Sequence, residues 1–195
     1  LSTITTIPVG AYPQEIITFG TKVFVCNISA FGGNADSTVS VIDAPTDQVV
    51  ANITVQKDPS ALAISNNGRL IIGCPGANSY IYLVDPTSYV KLDSFLIPTG
   101  CNKDIAVDRD SDEIYFISGS FPSFTVEKLN LSTRVITQVM ASGNNYYGLA
   151  YDSETDQLFV AIAPDFTNNG KLRVLTNGTA VDYTTGVAPR RLLIK

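Results

Sequence analysis

The 195-residue chain has no histidine, no tryptophan, a single methionine at Met140 and only three cysteines. Each shortage removes a class of chemistry. Without histidine there is no imidazole base for a Ser–His–Asp triad, and no His-ligated zinc, copper or haem within this sequence. Cys26, Cys74 and Cys101 form no C-x-x-C, so a zinc ribbon or thioredoxin-like motif is excluded, and an odd count fits no complete disulfide framework. No apolar run approaches the ~20 residues of a membrane-crossing helix. Basic residues are in deficit: 13 Lys and Arg against 18 Asp and Glu give a net charge of −5. A nucleic-acid partner, which needs cations to neutralise phosphate, is therefore not expected, nor is an anionic membrane surface. Neither G-x-S-x-G nor a P-loop occurs, no nucleophile–base pair can be named, and no cofactor is called for. An initiator methionine is missing and Leu1 falls in mid-pattern, which reads as a mature or trimmed sequence.

What is present is a packed, strand-rich chain. Hydrophobic residues make up 45%, enough for a sizeable core. Their periodicity is two rather than 3.6: "KVFVCN", "RLIIGC", "EIYFIS" and "QLFVAI" are β-branched or aromatic runs of strand length. Turn clusters such as "SNNGR", "DRDSDE" and "DSETDQ" separate them. No helix is expected. The same four-strand phrase then recurs. The small or apolar centre of its first strand is Ile17, Ala63, Ala106, Ala150 and Leu193, at spacings of 46, 43, 44 and 43. The residue closing its third strand is Asp43, Asp85, Asn130 and Thr176, at spacings of 42, 45 and 46. A period of roughly 40–50 residues holding four short strands marks a β-propeller blade. One such sheet cannot cover both its faces; stacking sheets around an axis does so. The expected fold is all-β, a single propeller of four-stranded antiparallel blades at 11–54, 55–97, 98–139 and 140–185. Residues 1–10 and 186–195 read as pieces of a flanking or closing blade, and the ring as part of a larger one, with open blade edges available for self-association.

The first unit, with "VFVCN" at 23–27, "TVSVID" at 38–43 and "TDQVVANI" at 46–53, resembles the YVTN-type β-propeller repeat. The later units keep only its outline, as in "IYFIS" and "VEKLNLSTRVITQV". The resemblance implies an extracytoplasmic protein. That family includes surface-layer proteins, secreted binding proteins and propeller subunits of some oxidoreductases.

The turns of a blade sort onto two rims. Those between strands one and two, and three and four, are short and polar, and hold Asp108, Asp110, Asp112, Asp152 and Asp156. Their chemistry is that of Asx turns, and the ligand spacing of an EF-hand is absent; no metal site is expected. The opposite rim carries "NISAFGGNADS", "CPGANS", "SGSFPS" and "APDFTNNG", with the linkers "GAYP", "TGCNKD" and "SGNNYYG". Unequal loops on a rigid frame are where binding concentrates. The expected ligand contacts are Tyr12, Phe31, Asn34, Phe121, Asn145, Tyr146, Tyr147, Phe166 and Asn169, because aromatic faces and amides suit glycans or polar protein surfaces. Phe121, Phe166 and Tyr147 serve equally as plugs between blades. Cys74 and Cys101 fall on the same rim, where a disulfide is geometrically plausible in an oxidising compartment. Asn27, Asn52, Asn130 and Asn177 head N-x-Ser/Thr sequons. Arg190 and Arg191 read as flanking a cut edge, pointing to opposite faces.

Three functions fit this reading. The first is a non-catalytic secreted or cell-surface propeller binding a protein or glycan through its long-loop face. The second is a structural surface-layer or filament component. The third is a piece of a propeller enzyme, lactonase-like or using a quinone cofactor.

Overall fold

The computed structural model describes residues 4–33, 35–192 and 194. Among them there is no helix, and four antiparallel meanders account for the strands. The first sheet is β1 (Tyr12–Phe19), β2 (Lys22–Ile28), β3 (Thr38–Asp43) and β4 (Gln48–Thr54). The second is β5 (Ala61–Ile64), β6 (Leu70–Gly73), β7 (Ser79–Val84) and β8 (Lys91–Ile97). The third is β9 (Asn102–Val107), β10 (Glu113–Ser120), β11 (Ser123–Asn130) and β12 (Ile136–Asn144). The fourth is β13 (Tyr146–Asp152), β14 (Gln157–Ile162), β15 (Asn169–Thr176) and β16 (Thr179–Val187). In each, neighbours in sequence are neighbours in the sheet. The first strands β1, β5, β9 and β13 also touch one another in succession, so the sheets fan out from a common axis.

The core lies between sheets, not within them. Phe24, Cys26, Val39, Val41 and Ile53 of the first sheet meet Leu62, Leu70, Ile72 and Cys74 of the second. The other face of the second sheet, with Ile71, Ile81, Leu83 and Phe95, meets Ile114, Phe116 and Leu129 of the third. The third meets the fourth through Ile117, Phe124 and Val126 against Tyr146, Leu149, Leu158 and Val160. Interior strands are therefore buried on both sides: every residue of β6, "LIIG", is buried. That explains why their hydrophobic runs are continuous rather than alternating. The outer strand β16 of the fourth sheet is largely exposed, Val181 and Tyr183 included.

The short-turn rim explains the third-strand landmark. Asp85 accepts from the backbone N–H of Thr87 and Ser88 at 2.7 and 3.0 Å, and Asn130 from Ser132 and Thr133 at 3.1 and 2.8 Å. Asp43 takes the Thr46 hydroxyl at 2.7 Å and the Lys22 ammonium at 2.5 Å. These are Asx turns, closed by a residue in the left-handed region at Asp47, Tyr89 and Arg134. Two further acidic residues of this rim are engaged likewise. Asp108 accepts from Asp110 and Ser111, and Asp152 from Glu154 and Thr155.

Several sequence expectations need correction. Residues 4–11 form no strand; the N–H groups of Gly10 and Ala11 donate instead to Asn27 and Asp36 of the first sheet. Strand β12 continues to Asn144, past the expected blade boundary at 139/140, and the "SGSFPS" loop shrinks to Phe121 and Pro122 because β10 and β11 pair to their ends. The Cys74–Cys101 disulfide is not formed. Both thiols are free, because Cys74 points into the seam between sheets one and two and Cys101 into the seam between two and three. Their backbones do meet, Cys101 N–H donating to Cys74 O at 2.9 Å. Burial pushes the Cys74 thiol up to about 12.

Candidate functional site: the axial mouth

The repeat places Gln14, Ser60, Lys103, Tyr147 and Arg190 at equivalent positions, each three residues before a first-strand landmark. In three of the sheets a β-bulge falls there. Pairing passes from Pro13 to Glu15 and skips Gln14. It passes from Tyr146 to Gly148 and skips Tyr147. Between Asn102 and Ile105 it skips Lys103 and Asp104. A bulge re-aims the residue it leaves unpaired. Here Gln14, Lys103 and Tyr147 turn into one cavity of about 320 Å³ on the long-loop side of the axis, shared with Ser29, Asp58, Ser60 and Arg190. The chain enters these innermost segments through strained residues, with φ of 59° at Asp58, 69° at Lys103 and 50° at Ala188.

Two cations share the cavity. Lys103 Nζ donates to Asn145 Oδ1 at 2.8 Å, and lies 3.7 Å from the Phe124 ring centroid and 4.4 Å from that of Tyr147. Arg190 lies over the same Tyr147 ring at 5.8 Å. Burial, and then the charge of Arg190, lower the Lys103 ammonium to about 8. On another wall Asp58 accepts from the N–H and hydroxyl of Ser29, at 2.7 and 2.5 Å.

One level along the axis stand Glu15, Ala61, Asp104, Gly148 and Arg191, the next equivalent set. Buried Glu15 pairs with Arg191 at 2.5 Å. Asp104 accepts from the N–H of Leu149 at 2.9 Å and of Ile105 at 3.0 Å. Its withdrawal from water, reinforced by the charge of Glu15, raises its carboxyl to about 6 against those hydrogen bonds. Gly148 is needed because a Cβ there would stand 1.8 Å from the carbonyl oxygen of Arg190. The segment 188–191 thus lies on the innermost strand of the fourth sheet and reaches across to the first.

The expected ligand contacts divide. Tyr147 lines the cavity and meets Phe166 edge-on at 5.8 Å. Tyr12, Phe31, Phe121, Phe166 and Asn169 are exposed. Asn34 lies outside the described residues. Tyr146 and Asn145 are buried, which corrects their placement on a binding surface. Tyr146 fills the seam between sheets three and four, and Asn145 donates to Ala163 O at 2.7 Å and accepts from Lys103. Asn27 is also buried, bonded to Thr38 and Ser40, so its sequon serves the sheet. Sequence reading missed Gln14, Asp58, Lys103 and Arg190. For Gln14, Lys103 and Arg190 the signal was present: they stand at one phase of the repeat, where polar and charged residues interrupt the start of an apolar strand.

No family model and no curated protein matches the sequence. Solved structures do. Hydrazine synthase of Kuenenia stuttgartiensis matches with a TM-score of 0.65 at 16% identity, over 86% of this chain and 51% of that one. The β-propeller domain of Swd1 from Myceliophteria thermophila matches at 0.67 and 12% identity, over 95% and 59%. The fold is a β-propeller. A third propeller match, U3-55K, has a TM-score of 0.63 at 15% identity, over 84% and 48%. The chain thus spans about half the length of the solved structures it matches. At such identities the likeness shows the fold alone. The four sheets are its blades, and the cavity is the mouth of its axis on the long-loop rim.

Proposed function

We propose that this chain belongs to a non-catalytic propeller of the YVTN-repeat type, which works outside the cytoplasm and binds a protein partner at its axial mouth and long-loop rim. The observation that carries the binding site is the convergence of bulged side chains from three blades, with Arg190, on one cavity. A bulge costs ladder hydrogen bonds, and its recurrence at one phase in three of the four blades is explained by what it presents. Exposed Phe166, edge-on to Tyr147, adds the aromatic surface enriched in protein interfaces, and exposed Phe31 and Phe121 lie in long-rim loops of other blades. The extracytoplasmic location rests on the family resemblance. Glycan binding by the same rings, a layer-forming role and an enzyme role have no comparable geometric support.

The reading is tested by placing a photo-crosslinking amino acid at Gln14, on the mouth, and at Asn67, on the short-turn rim. Exposure of each variant to the secreted and surface fraction of the source cells should give one crosslinked protein from Gln14 and none from Asn67. That product should disappear when Tyr147→Ala is added. Equal crosslinking from both rims, or a Gln14 product indifferent to Tyr147, contradicts the assignment.

A further inference from the structure

We propose that the mouth is a receptor for a single carboxylate, that of a Glu or Asp side chain on the partner protein, held between Lys103 and Arg190 over the Tyr147 ring. This deepens the reading above and rests on it.

Two like charges lie against one aromatic ring, Lys103 Nζ at 4.4 Å and the Arg190 guanidinium at 5.8 Å from the Tyr147 centroid. Each is favoured by the ring, but burial and then the charge of Arg190 disfavour the Lys103 ammonium. Among the described residues neither forms an ion pair. The acids nearby are otherwise engaged. Glu15 is taken by Arg191, Asp104 is bonded to two backbone N–H groups, and Asp58 faces Ser29 and stands 3.7 Å from Lys57. A pair of cations fixed on a shared platform, in a chain of net charge −5, is therefore arranged for an anion supplied from outside. Arg contributes a planar fork suited to a carboxylate, and Lys a point charge beside it. The mouth's small volume suits one side chain rather than an extended chain of sugars. Exposed Phe166, edge-on to Tyr147 at 5.8 Å, offers the apolar contact for the protein segment that brings the acid.

The test is an amide-resolved NMR titration of the ¹⁵N-labelled full chain with N-acetyl-Phe-Glu-amide, its Gln counterpart and glucuronic acid. The Glu peptide should shift the amides of Lys103, Tyr147, Gly148 and Arg190, and bind roughly tenfold more tightly than the Gln peptide, the worth of a charge-assisted hydrogen bond. Arg190→Gln, at an exposed position, should remove most of the preference for the Glu peptide over the Gln peptide. If both peptides bind equally at these amides, the carboxylate assignment falls and the mouth stands. If glucuronic acid shifts them and the Glu peptide does not, the partner is a glycan and the peptide assignment is overturned. If no ligand shifts them, both the carboxylate and the mouth are wrong.

Discussion

The seams between blades and the mouth of the axis are built from neighbouring residues of the same strands, yet they obey opposite rules. Along β9 and β10 the side chains of Ile105, Ile114 and Phe116 are sealed in a seam with no unpaired charge. Just before Ile105 in the same blade, Lys103 and Asp104 fall out of the ladder, Lys103 into the cavity and Asp104 one level inside it. The difference teaches where the molecule keeps its stability and where it keeps its chemistry. Apolar area removed from water stabilises by about 25 cal/mol per Å², and the seams hold nearly all of it. The mouth holds groups whose charge the fold works against.

That contrast can be broken most sharply in the seam. Phe116→Ala should cost about 3–5 kcal/mol, since a large cavity opens between blades two and three, read from the shift of the urea midpoint. A loss below ~1 kcal/mol would mean that the blades do not pack as described. At the level just inside the mouth, Asp104→Ala should cost about 1–3 kcal/mol, because the N–H of Leu149 loses its acceptor. Asp104 has its folded pKa raised, to about 6 from 3.8. The stability it contributes is full below pH 3.8 and is lost as pH rises through about 6. The variant should lack that decline, so the difference between the two proteins should narrow across this window.

Lys103 has the opposite sense. Its folded pKa is lowered to about 8 from 10.5, so the folded state disfavours its charge, and the wild type should gain stability as pH rises from 8 to 10.5. In Lys103→Met that gain should vanish, measured as the difference between the two stability–pH curves. Smallest in stability is Arg190→Gln, expected within about 0.5 kcal/mol because the residue is exposed and unpaired among the described residues. Gly148→Ala sharpens the comparison from another side. Its Cβ cannot coexist with the carbonyl of Arg190, so the 188–191 segment should lift and trypsin should cut after Arg190 and Arg191 faster than in wild type.

The seams were legible in the sequence because burial on both faces forces long β-branched runs such as "RLIIGC", and because Asp43, Asp85 and Asn130 mark each outer turn by a local hydrogen bond. Both signals lie within a few residues of one another. The mouth was legible only in part. Tyr147 and the exposed phenylalanines carry an aromatic signal, but adjacent Tyr146 carries the same signal and is core. Which of two successive tyrosines faces the cavity depends on the bulge at Tyr147, and a one-residue slip of register exchanges the faces. Lys103 and Arg190 are ordinary as letters. Their meaning comes from being brought onto one ring from 87 positions apart. The absent disulfide has the same root: Cys74 and Cys101 share a rim but not a seam.

Everything assigned to the mouth requires that innermost segments far apart in sequence meet on one axis, the first at Gln14 and the last at Arg190. Spin labels at Gln14→Cys and Arg190→Cys, with the three buried native thiols left unlabelled, test this directly by pulsed dipolar spectroscopy. The pair should give a short, narrow distance distribution, as the Glu15–Arg191 contact next to it requires. A long or broad distribution would mean that the blades do not close toward a common mouth, and the binding site described here would not exist.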